Sequence, residues 1–391
     1  MSWLFLIYWL GNIGIGFVFF NNSVNWNFLG LGILLLYVDI FFISYTVISN
    51  KYGVIGTFCK SWNKKDKETL LALTMCFVAG MIYVFLELHN NGFSLSNLSS
   101  LSGLSQSGNY FTTGRYGGSV VIHVSTLEQI CLTINYSGFV LAGYVYKLNI
   151  LKKKRVLICF IQFIPMILSM LATTAKTTFI SGIILWISGY FVASNFNFIK
   201  FKIKKMLLIK IIVLMTVAFL LFYLSFYIRY DGASSDAIVK RIAMYAFGHV
   251  PCFDSWFEKF KINMFGYSHG EQTFMVLFGD KMPVGLAAEY VTMRFVTPYS
   301  WTNVITMFSY VLMDFGYVGS VFFWGVLGGI AGISTAWIKK NGNAVAHSIL
   351  GLIYYTILYS FLVSPMRYLS IVGAFILFGV YIFILKRIKV K

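Results

Sequence analysis

The chain has 391 residues, of which 58% are hydrophobic and only 11% are charged. This composition excludes an ordinary soluble domain and is typical of a polytopic membrane protein. Lys and Arg outnumber Asp and Glu by 31 to 13, which gives a formal net charge of +18. No basic stripe with interleaved aromatic residues accompanies that charge, so a nucleic-acid partner is not expected.

Apolar runs of about twenty residues recur along the whole chain and predict transmembrane helices. We expect an all-α fold: a polytopic bundle of about ten spans, with residues 1–391 in a single integral membrane domain. The first span is interpreted as a retained helix, because no Lys or Arg precedes it. The predicted spans are 3–20, 28–48, 69–88, 129–147, 156–173, 177–195, 206–228, 317–337, 344–363 and 368–386.

Basic residues predict the orientation of these spans. Short links rich in Lys and Arg stay on the cytoplasmic side of a membrane. Such links alternate along the chain, at 49–68, 147–155, 196–210, 339–340 and 386–391. Both termini are therefore predicted to be cytoplasmic, and the opposite face is predicted to carry a first outer loop, 89–128, and a large outer loop, 229–301.

The large outer loop interrupts an otherwise apolar chain and is predicted to be partly helical. Lipid-exposed irregular backbone cannot lie in hydrocarbon, so this segment belongs at the surface or along a water-filled cavity. We expect it to carry the active site. The chain has no Walker loop, no dinucleotide fingerprint and no His/Cys spacing typical of a metal site, so no cofactor and no metal are expected.

Basic residues on the predicted outer face are candidates for binding a phosphate group. Arginine is suited to bidentate contact with phosphate. Arg115 lies in a loop rich in Ser, Gly and Asn, whose flexible backbone could close over a ligand. For Arg229, snorkelling to the lipid headgroups is the alternative to ligand binding. The candidates are Arg115, Lys176, Arg229, Arg241 and Arg294.

Residues 237–250 are predicted to form a helix that carries a polar stripe. Arg241, Tyr245 and His249 are four residues apart and share one helical face. An amphipathic helix on the membrane surface explains most of this pattern. An arginine, a phenol and an imidazole in line also favour a site for phosphate and hydroxyl groups, with Tyr245 as a substrate-binding residue.

A second polar stripe follows at Asn303, Thr306, Tyr310 and Asp314. In a segment this apolar, polar groups on one side should face the protein interior or a cavity. Segment 302–316 is expected to enter the membrane edge without crossing it. Asp314-Phe315-Gly316 is expected to break the helix before the next span.

Residue patterns in three places resemble the Wzy-type O-antigen polymerases, integral membrane enzymes of bacterial polysaccharide assembly. In one place the chain departs from them, because Lys176 stands where related enzymes often have Ser-Arg. The patterns are Arg115-Tyr116 with Gly118, then Arg229 with Tyr245-Ala246-Phe247-Gly248 and Gly270-Glu271-Gln272-Thr273-Phe274, and finally Thr302-Asn303-Val304, Thr306, Phe308 and Asp314-Phe315-Gly316.

This resemblance implies a glycosyltransferase of the bacterial inner membrane that works on the periplasmic face. The donor would be a growing chain on undecaprenyl diphosphate, and the acceptor would be the non-reducing end of a fresh lipid-linked repeat unit. Besides membrane lipid, the implied partners are the chain-length regulator, flippase and ligase of the same pathway. Negative charge that develops on the leaving diphosphate needs cations, which arginines supply without metal.

The acceptor hydroxyl also needs a base. His249 is the candidate, because histidine exchanges protons near neutral pH, and Asp314 is a rival. Two other functions stay open at this point. One is a flippase or transporter that moves a lipid-linked saccharide without changing it. The other is an O-antigen ligase, which uses the same donor with a lipid A-core acceptor.

Overall fold

Helices make up nearly all of the structure, which is a computed structural model. It describes residues 2–20, 24, 26–52, 66–116, 120–196, 205–230, 234–261, 268–278, 295–297, 300–301 and 306–387. The chain divides into two compact units. Unit 1 comprises Met1–Phe58 and Ala243–Val372, and unit 2 comprises Cys59–Ile242 and Gly373–Lys391.

The described elements are α-helices, three short 3-10 turns and one pair of strands. Two short strands, β1 (Phe295–Thr297) and β2 (Ser300–Trp301), pair antiparallel. Single 3-10 turns occur at Leu95–Ser99, Lys153–Arg155 and Pro365–Arg367. The α-helices are α1 (Ser2–Phe20), α2 (Leu29–Lys51), α3 (Asp66–His89), α4 (Leu101–Tyr116), α5 (Thr126–Leu148), α6 (Ile158–Ile161), α7 (Phe163–Thr173), α8 (Lys176–Phe196), α9 (Lys205–Tyr230), α10 (Ser235–Phe247), α11 (His249–Phe260), α12 (Met275–Phe278), α13 (Met307–Asn341), α14 (Ala344–Tyr359) and α15 (Leu369–Arg387).

The prediction of an all-helical membrane protein is confirmed in its coarse form. Every predicted span falls mainly on helical residues, although span 344–363 extends four residues past the end of α14 and span 156–173 is divided between α6 and α7. Among the described residues, seven helical segments are long and apolar enough to cross a membrane. Helices satisfy their own backbone hydrogen bonds, which hydrocarbon requires. The count of about ten spans and the bounds of the two outer loops remain predictions.

The predicted break near Asp314-Phe315-Gly316 is present within α13. Gly316 has a φ of 63° and a ψ of −168°, so it separates a short first segment from the longer remainder of the helix. Glycine reaches this backbone region without the steric cost that a Cβ brings. Residues 302–305 lie outside the described residues.

Unit 1 is built on a glycine contact between two long helices. A Cβ on Gly328 would lie 2.5 Å from the Phe41 carbonyl oxygen, and one on Gly332 would lie 2.9 Å from the Ile48 Cβ. Small residues let helix backbones approach closely where lipid gives no hydrophobic driving force. This contact packs α13 against α2.

Unit 2 contains the same kind of glycine contact, between α5 and α8. Gly143 of α5 packs on the Trp186 carbonyl, and Gly189 of α8 packs on the Val140 carbonyl. A Cβ at either glycine would overlap the facing backbone. The two helices therefore touch backbone to backbone.

Side-chain contacts identify the two ends of unit 2. At one end, Arg155 forms an ion pair with Asp66, and the Lys152 backbone N–H donates to the same carboxylate. This contact joins two of the Lys/Arg-rich links. Since α3 starts at Asp66 and ends at His89, the end of α3 lies away from the basic links. The end of α7 meets it there, because Ser169 donates to Glu87 over 2.7 Å.

This geometry yields a test of the predicted orientation. A phosphatase reporter that is active only outside the cytoplasm should work when fused after Gly92, which follows α3. The same reporter fused after Lys154, in a basic link, should be silent. Activity and protein level of both fusions are measured in the same cells. The reverse pattern would discard the orientation.

Adjacent glycines in α13 provide a matched test of the packing. Gly328→Ala should lower the melting temperature, because overpacking costs about 1–3 kcal/mol. Among the described residues, no atom lies within 4 Å of the position that a Cβ on Gly329 would take, so Gly329→Ala should leave the melting temperature unchanged or raise it. Equal melting temperatures for both purified variants would contradict the close contact with α2.

Candidate functional site

Arg115 lies on a helix, whereas the sequence analysis expected a flexible loop around it. It occupies the last turn of α4, which lies within the predicted first outer loop. Leu104, Gly108 and Phe111 are buried at helical spacing, so α4 has an internal face despite its polar composition. The exposed Arg115 is held by this helix, and its Nη1 donates to the Thr173 carbonyl over 2.9 Å.

Lys176 is buried at the first position of α8. Its residue is 8% exposed, its Nζ donates to the Thr174 carbonyl over 3.0 Å, and it lies 3.9 Å from the centre of the Phe226 ring. Thr174 itself has a φ of 56°, an uncommon value for a threonine. In the part of the chain described, no carboxylate lies within ion-pair distance of this ammonium. A buried cation without an anion is costly, so an anionic ligand would stabilise it.

Arg229 completes a group that we call the cationic cluster, defined as Arg115, Lys176 and Arg229. The charges of Arg229 and Arg115 both lie within electrostatic range of the Lys176 ammonium. Arg229 is half-buried at the end of α9. The fold thus gathers three of the predicted phosphate ligands from three separate helices. All three lie at the end of unit 2 away from the Asp66–Arg155 ion pair.

Glu87 is a functional candidate that the sequence analysis missed. Its carboxylate accepts hydrogen bonds from the Tyr83 hydroxyl (2.8 Å) and the Ser169 hydroxyl (2.7 Å), and it lies within electrostatic range of Arg115. The residue is half-buried. The spacing of Tyr83 and Glu87, four residues apart near a span end, was the signal that would have found it.

Asp314 is fully engaged by a neighbouring turn. Its Oδ1 accepts from the Ser268 hydroxyl over 2.6 Å and from the Gln272 N–H over 3.1 Å, and its Oδ2 accepts from the Thr273 N–H over 2.5 Å. The turn needs such support, because His269 and Gly270 both have positive φ angles. These contacts give Asp314 a positioning role, and its catalytic role remains a prediction.

Arg367 binds the same turn from the other side. Its Nη1 donates to the Gln272 carbonyl (3.0 Å) and to Gln272 Oε1 (3.1 Å). Its guanidinium also lies over the Tyr310 ring, 4.9 Å from the ring centre. We call Ser268–Thr273 together with Asp314 and Arg367 the turn cluster. Thr306 and Tyr310, predicted to face the interior, are both buried.

His249 is enclosed at the start of α11. It is 0% exposed and packs against the rings of Trp9 (5.8 Å) and Phe361 (5.4 Å). Within the described part of the chain, neither ring nitrogen makes a well-formed hydrogen bond, although the Ala246 backbone lies near one of them. Burial lowers the pKa of His249 from its ordinary value of 6.5 to about 3. A neutral imidazole this far from water is a weak base.

The remaining predicted site residues are dispersed. Arg241 and Tyr245 are half-buried on α10, but this helix ends at Phe247. His249 therefore begins the next helix, and the three residues do not form one exposed stripe. Arg294 and Asn303 lie outside the described residues.

No protein-family model, curated protein or solved structure matches this chain. Geometry and residue chemistry therefore carry the functional argument. They define two polar centres, the cationic cluster in unit 2 and the turn cluster in unit 1.

The surroundings of His249 predict a pH dependence of stability. The unfolded chain protonates this imidazole below about pH 6.5, whereas the folded protein protonates it only near pH 3. Stability should therefore fall as the pH drops below 6.5, by about 1.36 kcal/mol for each pH unit. His249→Phe keeps an aromatic ring between Trp9 and Phe361 without this titration.

Melting temperatures of the wild type and His249→Phe, measured at pH 7.5 and at pH 5.0, check this prediction. The wild type should lose more stability between the two values. The same loss in both proteins would mean that His249 titrates normally in the fold.

Proposed function

We propose that this chain is a membrane glycosyltransferase that joins lipid-diphosphate-linked oligosaccharide repeat units into O-antigen polysaccharide. The observation that carries the proposal is the buried Lys176 ammonium, flanked by Arg115 and Arg229 and lacking an ion-pair partner among the described residues. A diphosphate is an anion that would satisfy three cations together. The resemblance of Arg115-Tyr116 and of the Asp314-Phe315-Gly316 run to Wzy-type polymerases supports the same assignment.

The proposed reaction needs charge stabilisation more than covalent chemistry. An acceptor hydroxyl oxygen bonds to the anomeric carbon of the donor sugar while the bond from that carbon to the diphosphate oxygen breaks. The electron pair leaves with undecaprenyl diphosphate. Cations already in place around that leaving group stabilise the developing charge without reorganisation at the moment of reaction.

The hydroxyl proton needs an acceptor near these cations. Glu87 joins His249 and Asp314 as a candidate for this role. Its carboxylate is half-buried and lies within electrostatic range of Arg115. It accepts from two side-chain hydroxyls, whereas Asp314 also accepts from two backbone N–H groups of a turn and His249 is fully enclosed. We propose that Glu87 accepts the proton and that the periplasmic face holds this site.

The reaction type is tested in cells that lack this protein. We expect lipid A-core capped with a single repeat unit and no long chains, as judged by electrophoresis of lipopolysaccharide. A bare core with long lipid-linked chains would instead identify a ligase. Single lipid-linked units trapped on the cytoplasmic leaflet would identify a flippase.

Complementation of those cells tests the cationic cluster. A charge-assisted hydrogen bond contributes about 1.5–3 kcal/mol, so losing one should slow polymerisation by roughly tenfold to a hundredfold. Arg229→Lys should shorten or abolish long chains, because lysine cannot replace a bidentate phosphate contact. Lys176→Met should do the same without lowering the melting temperature, since it removes a buried charge that has no ion partner in the described structure.

Lys240→Met serves as the control for these variants. Lys240 is exposed and pairs with Asp236 on the same helix over 2.8 Å, so its replacement should leave chain length unchanged. Wild-type chain lengths in both Arg229→Lys and Lys176→Met would remove the cationic cluster from the mechanism.

A further inference from the structure

An apolar groove runs along α13 in unit 1, beyond the residues assigned so far. Its volume is about 380 Å³. Among the described lining residues, Thr356 has the single polar side chain, and the others are glycine and apolar residues such as Phe315, Phe323 and Val326. The groove follows the helix from the Gly316 break towards Ile330.

One side of this groove is open to the surroundings of the helix. Phe322 is 68% exposed, Val326 is 59% exposed and Ile330 is 40% exposed. Because α13 is long and apolar enough to cross a membrane, this row of exposed apolar side chains would face the lipid hydrocarbon. A hydrocarbon chain can therefore enter the groove laterally, without passing through water.

The other end of the groove adjoins the turn cluster. Four of its lining residues are sequence neighbours of polar residues at this end. Phe274 follows Thr273, Met307 follows Thr306, Phe315 follows Asp314 and Met366 precedes Arg367. The Thr273 and Thr306 hydroxyls and the Gln272 Nε2 are buried and make no hydrogen bond within the described structure. Buried polar groups without partners are rare in proteins and point to a missing ligand or water.

Arg367 supplies the charge at this end. Only its Nη1 is used in the bonds to Gln272, so Nη2 and Nε remain available as donors within the described structure. No described carboxylate lies within ion-pair distance of it. The Asp314 carboxylate faces the backbone of the turn instead. The guanidinium fork and the two hydroxyls match an oxygen-rich anion such as a phosphate.

We propose that unit 1 contains a second lipid site, which takes the phosphate head of a polyprenyl phosphate on Arg367, Gln272 and Thr273 and its hydrocarbon chain in the groove. This inference rests on the proposed function, because joining two lipid-linked units requires a place for each lipid. The groove takes a segment of one chain, which favours a single-chain prenyl lipid over a two-chain phospholipid.

Photo-crosslinking locates the lipid chain. Benzoylphenylalanine replaces Val326, which lines the groove, or Val318, which is 70% exposed on the same helix but does not line it. The full chain in phosphatidylcholine nanodiscs receives radiolabelled undecaprenyl monophosphate. We expect crosslinking from position 326 at least tenfold above that from position 318.

Competition identifies the source of the phosphate. Unlabelled undecaprenyl monophosphate should abolish the crosslink, whereas inorganic phosphate and phosphatidylglycerol at the same concentration should not. Equal competition by phosphatidylglycerol, or equal crosslinking from both positions, would mean that the groove takes bulk lipid and would overturn the proposal.

Two variants test the head site. Arg367→Met should reduce the crosslink from position 326 by roughly tenfold or more, the effect of losing a charge-assisted hydrogen bond. Thr273→Val removes a buried hydroxyl that has no partner in the described structure, so it should raise the melting temperature of the lipid-free protein and weaken the crosslink. Unchanged crosslinking in both variants would remove the head site.

These measurements do not depend on polymer formation. If cells lacking the protein still make long chains while the crosslink behaves as expected, the proposed polymerase function is wrong and the lipid site is supported. If polymerisation is lost as proposed but position 326 captures no prenyl lipid, the second lipid site alone is discarded.

Discussion

In hydrocarbon, every backbone N–H and C=O group needs a hydrogen-bond partner within the protein, and this constraint governs the structure. Helices meet that need within one segment, so the apolar runs of the chain become helices at every predicted span. Polar side chains and irregular backbone are then restricted to helix ends and to turns covered by protein. Both polar centres follow this rule. The cationic cluster joins the ends of α4 and α9 to the start of α8, and the turn cluster surrounds the helix break at Gly316.

Close packing of helices sets the positions of those ends. Gly143 and Gly189 bring α5 and α8 into backbone contact, and Gly328 does the same for α13 against α2. Helices whose backbones are in contact cannot slide past each other without steric overlap. The turns at the ends of these helices are therefore held in fixed positions. The short Thr173–Lys176 connection between α7 and α8 is one of these turns, and it receives hydrogen bonds from both Arg115 and Lys176.

Charge is treated differently in the two centres. The turn cluster is rich in internal hydrogen bonds, and its carboxylate, Asp314, is bonded on both oxygens. The cationic cluster gathers positive charge around one buried ammonium. A protein gains nothing in stability from such an arrangement, since like charges repel and burial disfavours each of them. Its presence therefore argues for a ligand with negative charge and against a purely structural role.

Much of this protein was predictable from its sequence. Apolar runs of about twenty residues identified the helices, and Asp314-Phe315-Gly316 marked the break in α13. The sequence also identified three cations as candidates, because Lys and Arg are concentrated in the cytoplasmic links and are unusual on the predicted outer face. They are Arg115, Lys176 and Arg229. These features are local, and local residue patterns report on them directly.

Only the tertiary structure decided which candidates meet. It joined Arg115, Lys176 and Arg229 and brought Glu87 within electrostatic range of Arg115. It also engaged Asp314 with a turn some forty residues earlier in the chain and enclosed His249 between aromatic rings. Sequence spacing cannot show these outcomes, because they depend on contacts between residues far apart in the chain. Such contacts and burial set the accessibility and basicity of a titratable side chain. They therefore decide whether a given residue type can act as a catalyst or only packs against its neighbours.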